Sequence, residues 1–217
     1  MKVLAIFGAG GQGGETLELA RTINNIDEKW EEIIFINNGE SAPDNQGCKV
    51  MGLEDAVSKY GDKLEGIIAI GEPALRIKIV GDFEKYNIPA VTLISPDVHV
   101  PASTTIGEGC CIYSGVYLSS NTTIGNHVSI SPNAVIGHDV IIKDNVSIGL
   151  LAGICGMVTL EEGVYIGPGV MIKESLTMGP NSVAAIGSVV FRDVSEGEMV
   201  LGNPARPTRR SSDHVFN

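Results

Sequence analysis

Residues 128–148 read VSISPN-AVIGHD-VIIKDN-VSI, and the phase of that stretch decides the architecture. The third residue of each block is aliphatic (Ile130, Ile136, Ile142, Ile148), and the first is small or β-branched (Val128, Ala134, Val140, Val146). Extended in steps of six, the aliphatic column runs unbroken over fifteen positions from Ile94 to Met178. It passes through Val100, Ile106, Ile112, Leu118, Ile124, Ile154, Leu160, Ile166 and Ile172. Chance gives such a run on the order of 10⁻⁵ of the time or less. The second column extends likewise, from Val98, Thr104, Cys110, Val116 and Thr122 to Ala152, Val158, Val164 and Val170. Residues i and i+2 of a strand share a face, so both columns point inward. An amphipathic helix repeats at 3.6 residues, not six, and no hairpin turns break the phase. The spacing predicts a prism-like parallel β-helix, each hexapeptide forming one short strand and a corner. Gly107, Gly125, Gly137, Gly149, Gly167 and Gly179 follow the large aliphatic residue and are expected at the corners, where glycine relieves strain.

Upstream of the repeat the pattern changes. Residues 3–7 read as a buried strand, 15–23 as a helix, 32–36 and 66–70 as further strands. A helix over 74–86 and a strand over 90–94 lead into the repeat. Alternating β and α elements imply a small parallel sheet. The expected division is an α/β domain over 1–93 and a β-helix with a C-terminal tail over 94–217. Gly8, Gly10 and Gly13 fit GxGxxG between a strand and a helix, where the backbone can approach a phosphate. An NAD site needs an acidic residue after the second strand; Asn37 and Asn38 stand there instead, and the region is too short for a full dinucleotide fold.

Composition agrees with a repetitive β-architecture: 43% of residues are hydrophobic, only 5% aromatic, and 27 are glycine. A net charge of −11 argues against nucleic acid as a partner. Cys48, Cys110, Cys111 and Cys155 lack metal-ligand spacing and read as reduced thiols, so no metal is expected. The apolar run from Lys2 to Phe7 is too short for a signal peptide or membrane span, and a cytoplasmic location with no membrane partner is expected.

Three segments carry a resemblance to the hexapeptide-repeat acyltransferases, and more closely to the UDP-4-amino-sugar N-acetyltransferase and sialic acid O-acetyltransferase family. They are Gly8-Ala9-Gly10-Gly11-Gln12-Gly13, followed in order by Asn37-Asn38 and Gly71 … Arg76; Ile136-Gly137-His138-Asp139; and Gly202-Asn203-Pro204-Ala205-Arg206. The resemblance covers essentially the whole chain. It implies a trimer of left-handed β-helices, with a small Rossmann-like domain in front of each. It implies acetyl-CoA as co-substrate and a nucleotide-linked amino-sugar as acceptor. It assigns Gly8, Gly10, Gly11, Gln12, Asn37, Asn38, Gly71 and Arg76 to the nucleotide sugar. Ser147, Gly156, Ala185, Asn203, Pro204 and Arg206 fall to acetyl-CoA, and His138 with Asp139 to catalysis. The chain departs from the family pattern at Gln12, where His is common, at Asn37-Asn38, where Asp-Asp is common, and at Ser147, where a second His is usual.

The residues themselves support part of this. His138 lies outside the inward columns and suits a general base near neutral pH. Asp139 can orient it only if a corner intervenes, because neighbours on a straight strand point opposite ways. His127 is the rival base, while His99 and His214 read as solvated. Cys155 stands at a corner position as a conceivable thiol nucleophile. Arg206, Arg209 and Arg210 form the basic cluster that CoA phosphates need. Against an N-acetyltransferase stand an O-acetyltransferase for sialic acid or another sugar hydroxyl and a non-catalytic nucleotide-sugar-binding scaffold. The scaffold needs neither His138-Asp139 nor the Asn203-Pro204 ending.

Overall fold

A computed structural model of the chain describes residues 1–37 and 44–209; the expectations placed on Asn38, Arg210 and His214 fall outside those residues. The N-terminal domain opens with β1 (Lys2–Phe7), α1 (Gly11–Asp27) and β2 (Trp30–Ile36). β3 (Asp44–Asn45), β4 (Cys48–Met51), α2 (Leu53–Tyr60), β5 (Leu64–Ile68) and α3 (Pro73–Tyr86) complete it. The sheet order is β3-β4-β2-β1-β5, with β1 pairing parallel to both β2 and β5. Central strand β1 is buried from Val3 to Phe7, as a strand covered on both faces must be. One side of the sheet packs under α1 through Leu17, Leu19 and Ala20, and the other under α2 and α3 through Leu53, Ala56 and Phe83. Three elements, β3, β4 and α2, were not read from the sequence, where each is too short to show a period. The helix after β1 starts at Gly11, inside the glycine turn, and not at Glu15.

The chain passes to the β-helix at Leu93–Ile94, which pairs with Cys111–Ile112. After a strand-free coil corner around Val100, two-residue strands recur every six residues from Thr105–Ile106 to Val189–Val190 and stack in parallel every eighteen, building three flat faces. Face I holds Thr105–Ile106, Thr123–Ile124, Ile141–Ile142, Thr159–Leu160 and Thr177–Met178. Face II holds Leu93–Ile94, Cys111–Ile112, Ser129–Ile130, Ser147–Ile148, Tyr165–Ile166, Val183–Ala184 and Met199–Leu201, closed by antiparallel Arg206–Thr208. Face III holds Tyr117–Leu118, Val135–Ile136, Gly153–Ile154, Met171–Ile172 and Val189–Val190. Both inward columns form one continuous core along the axis.

The glycines after the aliphatic column do not supply the left-handed corners. That conformation falls two residues later, at Asn121 (φ 57°), Asn133 (φ 59°), Asp139 (φ 56°), Leu151 (φ 59°) and their equivalents. The glycines serve coil stacking instead. A Cβ on Gly137 would lie 2.7 Å from the Gly156 nitrogen of the next coil, and one on Gly149 would lie 2.5 Å from that of Pro168.

The N-terminal domain rests on face II. Its outward side chains there (Cys111, Ser129, Ser147) are buried rather than solvated. Thr16 Oγ1 and the Tyr113 hydroxyl lie 2.7 Å apart across the boundary, and Gln12 Nε2 donates to Ser129 Oγ at 3.2 Å.

Candidate active site

His138 and Asp139 occupy the corner between face III strand Val135–Ile136 and face I strand Ile141–Ile142. The left-handed backbone of Asp139 turns its side chain back toward its neighbour, and His138 Nδ1 lies 2.7 Å from Asp139 Oδ2. Aspartate tolerates that conformation better than most residues. Asn121, one coil earlier, donates from Nδ2 to Asp139 Oδ1 at 3.2 Å and fixes the carboxylate from the other side. The hydrogen bond with His138, and after it the one from Asn121, hold the Asp139 carboxyl below the usual carboxylate range. An ionised Asp139 takes the proton on Nδ1 and leaves the Nε2 lone pair free.

That Nε2 atom lies over Gly156, one coil on: a Cβ there would stand 2.6 Å from it. A larger residue at 156 would push the exposed imidazole out of this position. The Gly156 N–H makes no hydrogen bond among the described residues, so a donor and a base converge at one exposed edge. Cys155, half-buried, precedes it. Asn121 and Arg192 were not singled out from the sequence. Both belong to this edge because they stand one and three coils from the pair, an eighteen-residue spacing that was available to find them.

The remaining acetyl-CoA candidates divide. Asn203, Pro204 and Arg206 are exposed and Ala185 is half-buried, on the last coils toward the edge between faces II and III. Ala205 N donates to Val189 O at 2.9 Å and anchors this ending. Beside it a cavity of about 240 Å³ is lined by Phe191, Arg192, Val200, Ala205 and Pro207. Ser147 is a correction: it is buried on face II under the N-terminal domain, where its Oγ donates to Gly71 O at 2.7 Å. It cannot touch a ligand at the other two edges.

The glycine turn also sorts by role. Gly8 (φ 112°) is forced by its backbone, and a Cβ there would stand 2.8 Å from Ala69 O. A Cβ on Gly13 would collide with the Gly8 carbonyl. Gly10 and Gly11 are exposed at the start of α1 with nothing within 4 Å of a would-be Cβ, so they are the positions open to a ligand. Asn37 is half-buried at the end of β2, and Gly71 follows β5 beside Gln12. Arg76 is the second correction. It is 1% exposed, and its five N–H groups are spent on Ile70 O (from Nε and Nη2), His127 O, Val146 O and Ser147 Oγ. No donor is left for a substrate.

Three other reactive side chains are withdrawn from chemistry. His127 is buried at a corner beside face II, and burial pushes its imidazole down from the ordinary value. Burial raises the Cys110 thiol to about 11 and that of Cys111 to about 12, leaving both protonated and inert. Among the described residues no group of three His, Cys, Asp or Glu is placed to hold a metal, and no helix is long and apolar enough to cross a membrane.

Comparison with known proteins follows this division. Residues 3–83 match the PglD N-terminal domain, and residues 121–156 match the bacterial transferase hexapeptide family. WeeI from Acinetobacter baumannii AYE superposes with a TM-score of 0.89 at 29% identity, over 96% of this chain and 100% of that one. The acetyltransferase domain of PglB from Neisseria gonorrhoeae FA1090, solved with acetyl coenzyme A, gives 0.88 at 26% identity over 95% and 99%. PerB from Caulobacter crescentus, solved with CoA and GDP-perosamine, gives 0.86 at 25% over 96% and 98%. Curated relatives are covered over less than a third of their length. One is galactoside O-acetyltransferase of Lactococcus lactis, 34% identical over 59 residues, 27% of this chain and 28% of that one. The PglD N-terminal domain match in front and the hexapeptide-transferase match behind agree with the likeness to WeeI, PglB and PerB along nearly the whole chain.

Proposed function

We propose that the protein is an acetyl-CoA-dependent N-acetyltransferase acting on the 4-amino group of a nucleotide-linked amino-sugar. The observation that carries this reading is the His138–Asp139 pair, 2.7 Å apart on an exposed edge with the Gly156 N–H beside it. Acetyl-CoA supplies the thioester carbonyl. The acceptor nitrogen attacks that carbon, His138 Nε2 removes the proton the nitrogen must lose, and the C–S bond breaks to release CoA. Asp139 stabilises the imidazolium, and the Gly156 N–H donates to the carbonyl oxygen as it gains negative charge. Gly10, Gly11 and Asn37 are positioned for the nucleotide. The bound ligands of PglB and PerB support both substrate classes.

The assembly proposed is a homotrimer, as the resemblance implies, and the geometry of one chain supports a site shared between copies. The glycine turn sits against face II, whereas His138 sits on the edge between faces III and I, opposite face II. Likewise Gly156 and the Asn203–Arg206 ending lie at different edges of one prism. That placement favours a sugar nucleotide held by one chain meeting a neighbour's histidine. Face III and its flanking edges expose Tyr117, Val135, Leu150, Leu151, Met171 and Ile186, an apolar surface suited to such packing.

The test is release of CoA thiol from acetyl-CoA across UDP-, TDP- and GDP-linked amino-sugars, with sialic acid and a galactoside included. Turnover on an amino-sugar is expected, and kcat should fall about 10²–10⁴-fold in His138→Ala while acetyl-CoA binding is retained. Turnover confined to sialic acid or the galactoside would replace this reading with O-acetylation. A variant keeping more than about half the activity would remove His138 from the mechanism.

A further inference from the structure

Arg76 is a buried cation with no carboxylate within 4 Å among the described residues. Its acceptors are three backbone carbonyls and one hydroxyl. Burial lowers its pKa to about 10, a sign of the desolvation that an unpaired interior charge incurs. A neutral side chain would join two surfaces at lower cost. What a guanidinium adds is a planar fork of five donors that can hold several segments at once. Here the fork spans the turn after β5 (Ile70 O), a corner of the β-helix (His127 O) and a face II strand (Val146 O, Ser147 Oγ). Ser147 completes the ring by donating to Gly71 O at 2.7 Å.

The turn held this way is one wall of the proposed nucleotide mouth. Ala69 O packs against Gly8, and Gly71 against Gln12 Oε1, so the Ala69–Gly71 and Gly8–Gln12 loops move together. Gln12 is itself tied to Ser129, one coil before Ser147. We propose that Arg76 and Ser147 are positioning residues that lock the nucleotide-binding loops into one register with the β-helix, and so aim the bound sugar at the catalytic edge. The functional half of this inference rests on the nucleotide-sugar reading above; the structural half does not.

Two measurements on Ser147→Ala and Arg76→Lys separate those halves. Amide hydrogen exchange should quicken in peptides covering 8–14 and 69–76 and stay unchanged in coils from 150 to 200. KM for the nucleotide sugar should rise about tenfold with KM for acetyl-CoA unmoved, because misplacement touches one substrate only. Ser147→Thr, which keeps the hydroxyl, should restore both readouts. Unchanged exchange at 69–76, equal rises in both KM values, or failure of Ser147→Thr to rescue would each overturn the proposal. If the wild-type protein turns over no nucleotide sugar, the functional reading fails, and the exchange pattern still decides whether the lock exists.

Discussion

At the residue scale, His138 and His127 show how position divides two identical side chains. Both sit at β-helix corners, but His138 is exposed beside an ionised partner, whereas His127 is enclosed under α3 with its Nδ1 unpaired. Burial depresses the His127 pKa despite the carboxylates of Glu108, Asp144 and Glu84, with Arg76 adding to the depression. Its folded value lies below its unfolded one of about 6.5, so the unfolded chain takes up a proton that the native state refuses. Stability on this account is intact above that value and is lost as pH falls through it. Between about pH 7.5 and about pH 5.5, wild type should therefore lose more Tm than His127→Gln, which has nothing to protonate. Equal losses would mean that another group governs acid unfolding. In sequence the two histidines were separable only by the phase of the repeat and the family resemblance; solvent access was not readable.

At the element scale, the six-residue phase was legible in full, because a core residue that must repeat leaves an unbroken column. The reason for the glycines was not. Their crowding comes from a coil eighteen residues away, while the left-handed backbone falls two residues later, on asparagine, aspartate and other glycines suited to it and also on Leu151 and Met157, which are not. Two substitutions separate the causes. Gly149→Ala should destabilise by about 1–3 kcal/mol through overpacking against Pro168. Asn133→Val should cost about 1–2 kcal/mol through its backbone angle alone, while Asn133→Gly is nearly neutral. Urea melts of the three variants check this; equal costs for Asn133→Val and Asn133→Gly would show that backbone strain is not the cause.

At the scale of the whole molecule, the glycine turn proposed for the nucleotide and His138 occupy opposite sides of one chain, which makes their complementation testable. Gly10→Trp should block nucleotide approach without disturbing the fold, since Gly10 is exposed and a Cβ there meets nothing within 4 Å. Trimers mixed from Gly10→Trp and His138→Ala chains should regain activity that neither homotrimer has, because some interfaces then pair an intact loop with an intact histidine. No recovery would place the whole site within one chain.

Sequence alone determined the β-helix, and it located the His138–Asp139 pair and the glycine turn. Each of these is written in local spacing: a period of six, or a motif within a few residues. Tertiary structure decided the assignments that depend on residues distant in the chain. It moved Arg76 and Ser147 from ligand contacts to the domain boundary, because the carbonyls that consume their hydrogen bonds come from up to 76 residues away. It also set Gly10 and Gly11 apart from Gly8 and Gly13, since free space around a glycine is made by other strands, and no spacing in the chain records it.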